Sequence, residues 1–342
     1  MKNIDLRSDT VTQPTLEMRE FMLKAPVGDD VFQEDPTVNE LEHYAASIFG
    51  HEAGLYCASG TQTNQIAINV HCKPGDQVIC SKDAHIYMYE GGGIAKNAGS
   101  SVKLLDGDRG RITAKEIAKN INDPENVHYP LTALIAIEDT MNRGGGAIYD
   151  LDEIKNINAL AKKNNLPLHL DGARVFNALV ENNVDPKEYG SYFDSISICL
   201  SKGLGAPVGS VLLGSEDFIK KARRVRKVLG GGMRQAGIIA AGGLFALKNN
   251  IDRLKIDHVN AQSIAEVFNE QEWITGVQDV QTNIVVAELE NEAKVEKFLN
   301  YLSGKNISAM PFGGATIRIV THLDITSEDI NQVKNAIYDF KG

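Results

Sequence analysis

The sequence has little of three features that would each indicate a particular class of protein: cysteine, long apolar runs and excess positive charge. Only four of its 342 residues are cysteines, and they form no CxxC pair and no Cys/His cluster with zinc spacing. We therefore expect reduced thiols in a cytoplasmic protein, with neither a disulfide framework nor a metal site. No apolar run reaches the roughly 18 residues of a membrane span, and the first residues do not resemble a secretory signal. A net charge of −10 argues against general binding to nucleic acid, because an acidic surface repels phosphate backbones.

The sequence is otherwise typical of a globular protein, with 43% hydrophobic and 23% charged residues. A domain takes roughly 150 residues, so the length predicts two domains. In the first 250 residues, short apolar runs alternate with amphipathic stretches, of which 37–49 and 151–163 are predicted helices. The predicted strands are 54–56, 77–80, 132–137, 167–170, 195–200 and 208–213. This alternation predicts an α/β fold with a mainly parallel sheet.

The pattern changes near residue 250. A long predicted helix over 251–269 is followed by predicted strands at 283–289 and 316–320 and by predicted helices at 292–302 and 327–340. We therefore predict a large domain over residues 1–250, which includes an N-terminal segment, and a smaller α+β domain over residues 251–342.

Two charged residues follow predicted strands at the edge where parallel sheets bind ligands. Asp171 follows the strand at 167–170, and Lys202 follows the strand at 195–200. Taken alone, Asp171 is a common helix N-cap and Lys202 is an ordinary surface lysine. Together they indicate a carboxylate that keeps a cofactor nitrogen protonated and an amine that forms a Schiff base.

Two further segments add to this pattern. Ser59, Gly60 and Thr61 precede a predicted helix, where free N–H groups suit a phosphate monoester, although a plain Ser/Thr cap is an equal alternative. His85 follows the strand at 77–80, where it is either structural or placed to stack on a flat ring or move a proton. A phosphate cradle, a carboxylate, a lysine and a histidine are the groups that pyridoxal 5'-phosphate requires.

Several sequence blocks then show a family resemblance. The chain resembles the low-specificity L-threonine aldolases, which are fold type I (aspartate-aminotransferase-like) pyridoxal-phosphate enzymes. The resemblance rests on LRSDTVTQPT (6–15), VGDDVFQEDPTVNELE (27–42), ASGTQTNQIA (58–67), HIYMYEGGG (85–93), LHLDGARVFNA (168–178), SKGLGAPVGSVLLG (201–214) and RKVLGGGMRQAG (226–237). Such enzymes cleave L-threonine, L-allo-threonine and other β-hydroxy-α-amino acids to glycine and an aldehyde, which is acetaldehyde for threonine. The resemblance also implies a homotetramer built from two active dimers.

The resemblance implies a role for each residue of the cofactor site. Lys202 would bind the cofactor covalently, Asp171 would pair with its ring nitrogen, and Arg174 would position the cofactor's 3-oxygen or the substrate carboxylate. The phosphate would bind to Ser59, Gly60 and Thr61, together with Lys227 and Arg234 of a neighbouring subunit.

The resemblance also implies the substrate contacts. Ser8 and Arg318 would bind the substrate carboxylate, and His85, which stacks on the cofactor ring, would contact the β-hydroxyl. His128 matches a second histidine near that hydroxyl, and Tyr87 would tune the size of the substrate.

The segment 138–142 departs from the family pattern, because it reads EDTMN where the family often has ENTHN. Two alternatives also stay open at this point. One is another fold type I reaction, such as that of an aromatic amino-acid β-lyase or a racemase. The other is a cofactor-binding protein without catalytic activity.

Overall fold

The computed structural model describes residues 3–342 and contains three sheets. Its strands in chain order are β1 (Ile4–Asp5), β2 (Ala53–Cys57), β3 (Gln77–Ser81), β4 (Ser101–Leu105), β5 (Thr132–Glu138), β6 (Leu168–Gly172), β7 (Ser195–Cys199), β8 (Ser210–Gly214), β9 (Ile274–Val277), β10 (Ile284–Leu289), β11 (Ile307–Ser308), β12 (Met310–Gly313) and β13 (Thr316–Val320).

The α-helices pack against these sheets. In chain order they are α1 (Leu16–Leu23), α2 (Pro36–Phe49), α3 (Gly60–His71), α4 (His85–Met88), α5 (Ala114–Ala118), α6 (Leu151–Lys163), α7 (Val175–Asn182), α8 (Pro186–Gly190), α9 (Glu216–Val228), α10 (Gly237–Asn249), α11 (Leu254–Asn269), α12 (Glu292–Gly304) and α13 (Ser327–Asp339). None of the helices in the described part of the chain is long and apolar enough to cross a membrane.

The largest sheet has seven strands in the order β2-β8-β7-β6-β5-β3-β4. All of its strands run parallel except β8, which is antiparallel to both β2 and β7. The segment between β7 and β8 is too short for the crossover of a dozen or more residues that a parallel connection needs. The mainly parallel sheet predicted from the sequence is confirmed, and its reversed strand places the Lys202 loop at the edge where β2, β3, β5, β6 and β7 end.

Both faces of this sheet are buried, which explains why its strands are continuous apolar runs. Ile79 and Leu170 pack into the largest apolar cluster on one face, whereas Val78 and Cys80 belong to a second cluster on the other. The helix α2 shows how local sequence sets an element's bounds. It begins after the N-cap Asp35, has proline at its first position, and ends at Gly50, whose φ of 72° is left-handed.

The C-terminal unit is built around an antiparallel sheet of order β12-β13-β10-β9, covered by an apolar cluster with residues from α11, α12 and α13. The N-terminal strand β1 pairs in parallel with β11, and Ile4 and Leu6 are buried in the same cluster. The domain division at residue 250 stays a prediction, to which the structure adds that the N-terminal segment packs against the C-terminal unit.

Candidate active site

A cavity of about 510 Å³ opens at the carboxyl ends of the parallel strands. Its walls come from the N-terminal segment, from the loops after β3, β5, β6 and β7, and from the C-terminal sheet. The lining residues are Ser8, Thr10, His85, Met88, Tyr89, Asn142, Arg143, Arg174, Lys202, Met310, Pro311, Phe312, Gly313 and Arg318. The cavity therefore brings together five residues that the sequence singled out: Ser8, His85, Arg174, Lys202 and Arg318.

Lys202 contributes an amine to this cavity. The turn that carries it is fixed through its own backbone, because the Lys202 carbonyl accepts hydrogen bonds from Thr12 Oγ1 at 2.9 Å and from the Gly205 N–H at 2.8 Å. Within residues 3–342, no carboxylate forms an ion pair with Lys202 Nζ. The amine is thus free to bond to a ligand in the cavity.

Asp171 lies near the end of β6 and is only 3% exposed. Its Oδ1 accepts from the Ala173 N–H at 3.2 Å, and its Oδ2 accepts from Asn64 Nδ2 at 2.9 Å. Glu138 of β5 lies opposite it in the sheet register. Burial, followed by the charge of Asp171, raises the pKa of Glu138 to about 7. Asp171 thus presents a buried carboxylate, fixed by two hydrogen bonds, at the end of β6.

The N-terminus of α3 lies at the same edge. Ser59 caps the helix, and its Oγ accepts from the Gln62 N–H at 3.2 Å. The N–H groups of Gly60 and Thr61 lie in the first turn, where a helix offers no acceptor. Beside them, the buried Ser210 Oγ has no hydrogen-bond partner in the part of the chain that the structure describes, and it lies 3.5 Å from where a Cβ on Gly60 would be. These donors suit an anionic group such as a phosphate.

His85 is held from two sides by carboxylates. Its backbone N–H donates to Glu138 Oε2 at 2.7 Å, and its Nδ1 lies 3.1 Å from Glu90 Oε1. Because a carboxylate accepts, Nδ1 carries the hydrogen, and Nε2 is the nitrogen left for chemistry in the cavity. Burial works to lower the pKa of His85, but the bond to Glu90 and the charges of Asp171 and Glu138 outweigh it and raise the pKa.

Two arginines, Arg174 and Arg318, line the other side of the cavity. Arg174 is paired bidentately with the fully buried Asp9, through contacts of 2.7 Å and 2.6 Å. Although burial opposes it, this pairing holds the pKa of Asp9 well below its usual range. Arg174 Nη1 lies 3.4 Å from Asn142 Oδ1, on the cavity side.

Arg318 has no carboxylate partner among the described residues. Its Nη1 donates to Asn142 Oδ1 at 3.0 Å, its Nη2 donates to the Arg7 carbonyl at 3.0 Å, and its buried Nε has no partner. Burial, followed by the charge of Arg174, lowers the pKa of Arg318 to about 10. A guanidinium that lines the cavity and pairs with no carboxylate in the described part of the chain is suited to binding the carboxylate of a substrate.

The chain is similar to known proteins over nearly its whole length. A family model described as beta-eliminating lyase matches residues 5–291. The low specificity L-threonine aldolase of Escherichia coli (strain K12) is 43% identical, covering 96% of this chain and 97% of that protein. The low-specificity L-threonine aldolase 1 of Arabidopsis thaliana is 41% identical, covering 97% and 94%. The chain belongs to the low-specificity L-threonine aldolase family.

The fold agrees with this family assignment. A solved structure titled as threonine aldolase from Leishmania major superposes with a TM-score of 0.84 and 18% identity, covering 98% of each chain. This similarity confirms the predicted fold class, a fold type I pyridoxal-phosphate enzyme with a large α/β part and a smaller C-terminal part.

The cavity fits the cofactor that a member of this family implies. Pyridoxal phosphate needs an amine for its aldehyde, an anion for its ring nitrogen and donors for its phosphate. Among the described residues, Lys202 Nζ has no ion pair and Ser210 Oγ, beside the start of α3, has no hydrogen-bond partner, while Asp171 is buried at the end of β6. The residues present therefore fit the group.

Eight predicted site residues lie outside the cavity lining. Four of them, Ser59, Gly60, Thr61 and Asp171, lie at the ends of α3 and β6 described above, and the other four are surface residues. Tyr87, His128, Lys227 and Arg234 are all exposed. His128 lies in a turn, where its N–H donates to Asn126 Oδ1, and Arg234 pairs with Asp29 at 2.9 Å. Any role of these four residues in the site requires a second subunit or a movement of their loops.

Two aromatic residues, Tyr89 and Phe312, line the cavity, and Tyr89 is the one closest in sequence to the predicted Tyr87. It lies in the same sequence block as Tyr87, but the short helix α4 directs Tyr87 outward, whereas the ring of Tyr89 packs 5.6 Å from that of His85. Asn142, which bonds both arginines, was also missed as a site residue. Its position in the family block at 138–142 was the available signal.

The two departures from that block lie behind the cavity wall. Asp139 is fully buried, and its carboxylate accepts from Tyr189 Oη at 2.6 Å and from the Tyr149 N–H at 3.3 Å. Burial raises the pKa of Asp139 to about 7. Met141 is also fully buried and packs in the apolar cluster. Neither residue lines the cavity, so the substitutions change the layer that supports Glu138 and Asn142.

Proposed function

We propose that this protein is a pyridoxal-phosphate-dependent aldehyde-lyase that cleaves L-threonine and L-allo-threonine to glycine and acetaldehyde. Its membership in the threonine aldolase family supports this function. The observation that carries the proposal is the cavity itself, which brings together Lys202, an amine that has no ion pair within residues 3–342, with His85 and Arg318. The buried carboxylate of Asp171 lies at the end of β6, at the same edge of the sheet.

Pyridoxal phosphate, when bound, supplies an electron sink for the pair released when the Cα–Cβ bond breaks. Lys202 holds the cofactor through its aldehyde, and Asp171 keeps the ring nitrogen protonated. Ser59, Gly60 and Thr61 bind the phosphate at the N-terminus of α3, where the helix dipole favours a negative group.

Arg318 and Ser8 orient the substrate. Arg318, which lines the cavity, binds the substrate carboxylate through its guanidinium group, and Ser8, which caps a turn at the cavity edge, adds a hydroxyl. Arg174 is already bound to Asp9, so its free side positions the cofactor's 3-oxygen or the same carboxylate. Fixing the carboxylate sets the direction of the Cα–Cβ bond, and such orientation contributes to the rate.

A histidine removes the proton from the β-hydroxyl. His85 is suited to this step, since Glu90 holds Nδ1–H and stabilises the charged imidazolium that forms when Nε2 accepts a proton. His128 is the second candidate, and Tyr87 contributes to the size of the substrate pocket, if a neighbouring subunit brings them to the cavity.

We propose a homotetramer of two active dimers in the cytoplasm. Lys227 and Arg234 would reach the phosphate of a neighbouring subunit from a surface that also exposes apolar side chains, among them Phe32 at 69% and Val228 at 85%. The four cysteines are all free and buried, as is usual for a protein of a reducing compartment.

Product analysis tests the proposed reaction. Purified protein given L-threonine or L-allo-threonine should release glycine and acetaldehyde in equal amounts. An aromatic amino-acid β-lyase would instead release pyruvate and ammonia from its substrate, and a racemase would only change the configuration at Cα. Ammonia or isomerised substrate without glycine would contradict the proposal.

A further inference from the structure

A row of buried polar side chains runs behind Asp171. Asn64 Nδ2 donates to Asp171 Oδ2 and to Glu90 Oε1, both at 2.9 Å, while Asn64 Oδ1 lies 3.1 Å from His169 Nε2. Because both carboxylates only accept, the amide nitrogen must face them and the amide oxygen must face His169. The orientation of Asn64 is therefore settled by its partners.

The row continues to the far end of α3. Ser195 Oγ lies 2.8 Å from His169 Nδ1 and 2.8 Å from His71 Nε2. Burial lowers the pKa of His169 to about 3 and that of His71 to about 4, so each ring is neutral and carries one N–H. Since Asn64 Oδ1 only accepts, His169 donates from Nε2, and its Nδ1 accepts from the Ser195 hydroxyl.

Ser195 Oγ then accepts from His71 Nε2–H, and each hydrogen bond in the row points toward Asp171. We propose that His169 is a positioning residue for Asp171, which it holds through the amide of Asn64, and that Ser195 and His71 fix its ring. The inference rests on the proposed role of Asp171 as partner of the cofactor's ring nitrogen.

Packing alone does not require this arrangement. His169 and Asp171 lie on one face of β6, while Leu168 and Leu170 lie on the other and pack in the apolar core. An apolar residue at position 169 would suit a fully buried strand, although it would leave the Ser195 hydroxyl and the Asn64 amide oxygen without this partner. The apolar residue would not donate to Asn64 Oδ1. The Asn64 amide could then rotate and turn its oxygen toward Asp171, which that oxygen would repel.

The test compares His169→Leu with His169→Gln in protein loaded with pyridoxal phosphate that is ¹⁵N-labelled in the ring. In His169→Leu we expect the ring nitrogen to lose its proton at neutral pH, which the NMR signal of that nitrogen reports as a shift. We also expect cofactor affinity to fall about tenfold, because one buried hydrogen bond to a charged network is lost. In His169→Gln the side-chain amide can still donate to Asn64, so the signal and the affinity should return toward native values.

His258→Leu is the matched control. It removes another buried histidine, which bonds to Asn177 and Glu181 and has no contact with the row behind Asp171. It should lower the thermal stability of the protein while leaving the ring-nitrogen signal unchanged. If His169→Leu behaves like His258→Leu in the signal and in cofactor affinity, the proposal is overturned.

Two further variants make the result decisive. Ser195→Ala removes the donor to His169 Nδ1 with little change in volume, so it should give a smaller shift in the same direction if His169→Leu fails to fold. An unchanged signal in Ser195→Ala would overturn the proposal in that case. Asp171→Asn separates the proposed role of His169 from the proposed role of Asp171. If Asp171→Asn is the only variant that changes the signal, the role of His169 is refuted and that of Asp171 stands. If the ring nitrogen stays protonated in Asp171→Asn, the role of Asp171 is refuted as well.

Discussion

At the scale of single residues, the buried carboxylates Asp9, Glu138 and Asp139 near the active site differ in whether they form an ion pair. Asp9 is ionised and neutralised by Arg174, whereas Glu138 and Asp139 are buried without an ion pair among the described residues. Burial raises the pKa of each of these two groups to about 7. Their charge state therefore changes near neutral pH, close to the residues that carry the chemistry.

Asp139→Asn tests this account of burial through the pH dependence of stability. Between about pH 4 and pH 7, Asp139 ionises in the unfolded chain but stays protonated in the folded one, so rising pH destabilises the native protein. Asp139→Asn lacks this carboxyl group. The free energy of unfolding of the variant should therefore rise relative to that of the native protein by up to about 1.4 kcal/mol per pH unit over that range. Thermal unfolding of both proteins at several pH values measures the difference.

An exposed aspartate serves as the control for this comparison. Asp123→Asn makes the same chemical change at an exposed position, so any effect of replacing a carboxylate by an amide that does not depend on burial appears there too. A constant difference in stability between Asp139→Asn and the native protein from pH 4 to pH 7 would show that Asp139 is ionised in the folded state.

At the scale of elements, one buried carboxylate joins two helices and the loop before α2. Asp35 Oδ1 accepts from the N–H groups of Thr37 and Val38 at the start of α2. Its Oδ2 accepts from Gly28 N–H at 3.2 Å and from Gly237 N–H, at the start of α10, at 2.9 Å.

Asp35→Ala should therefore cost about 2–4 kcal/mol of stability, since it strands several buried donors at once. The chain contains a matched control in Asp185, which also precedes a proline and caps α8 but is exposed and accepts only from Lys187 and Glu188. Asp185→Ala should cost about 1 kcal/mol, the usual value for a cap. Equal losses in the two unfolding midpoints would contradict the joining role of Asp35.

Elements with strong local signals were predictable from the sequence. Helix α6 and strand β13 have the predicted bounds, because apolar periodicity and the neighbouring turn residues define both ends. Strand β4 was missed because it lies at the edge of the sheet, where alternate residues are exposed, and β9 was missed because it is short and only partly buried. The reversed direction of β8 depends on loop length, which apolar patterning does not report.

The candidate site was predictable where a residue follows a strand. Asp171 and Lys202 were found in this way, because parallel strands end at one edge. Asn64 and Asn142 were not found, since their partners come from distant parts of the chain and only the folded structure brings them together.

At the scale of the whole molecule, the exposed Lys227 and Arg234 make a prediction about assembly. If a neighbouring subunit supplies them, the Lys202→Ala and Lys227→Ala proteins should each be impaired, the second through weak cofactor binding. When subunits of the two variants are mixed after dissociation, some active sites would receive a native Lys202 from one subunit and a native Lys227 from its neighbour. Random pairing gives such a site in about one case in four. Recovery of activity on mixing, measured at limiting cofactor, checks this prediction.

Mixing Lys202→Ala with Asp171→Asn provides the control, because both residues would serve the same subunit and no native site could form. Activity that stays at the average of the two parents in the Lys202→Ala and Lys227→Ala mixture would show that Lys227 acts within its own subunit or not at all.

The central claim is that Lys202 is the amine that binds the cofactor. Reduction of the protein loaded with pyridoxal phosphate by borohydride, followed by peptide mapping, tests this claim most directly. The account predicts a single pyridoxyl adduct on the peptide that contains Lys202, and none in Lys202→Ala. An adduct on a different lysine, or no adduct in a protein that still cleaves threonine, would contradict it.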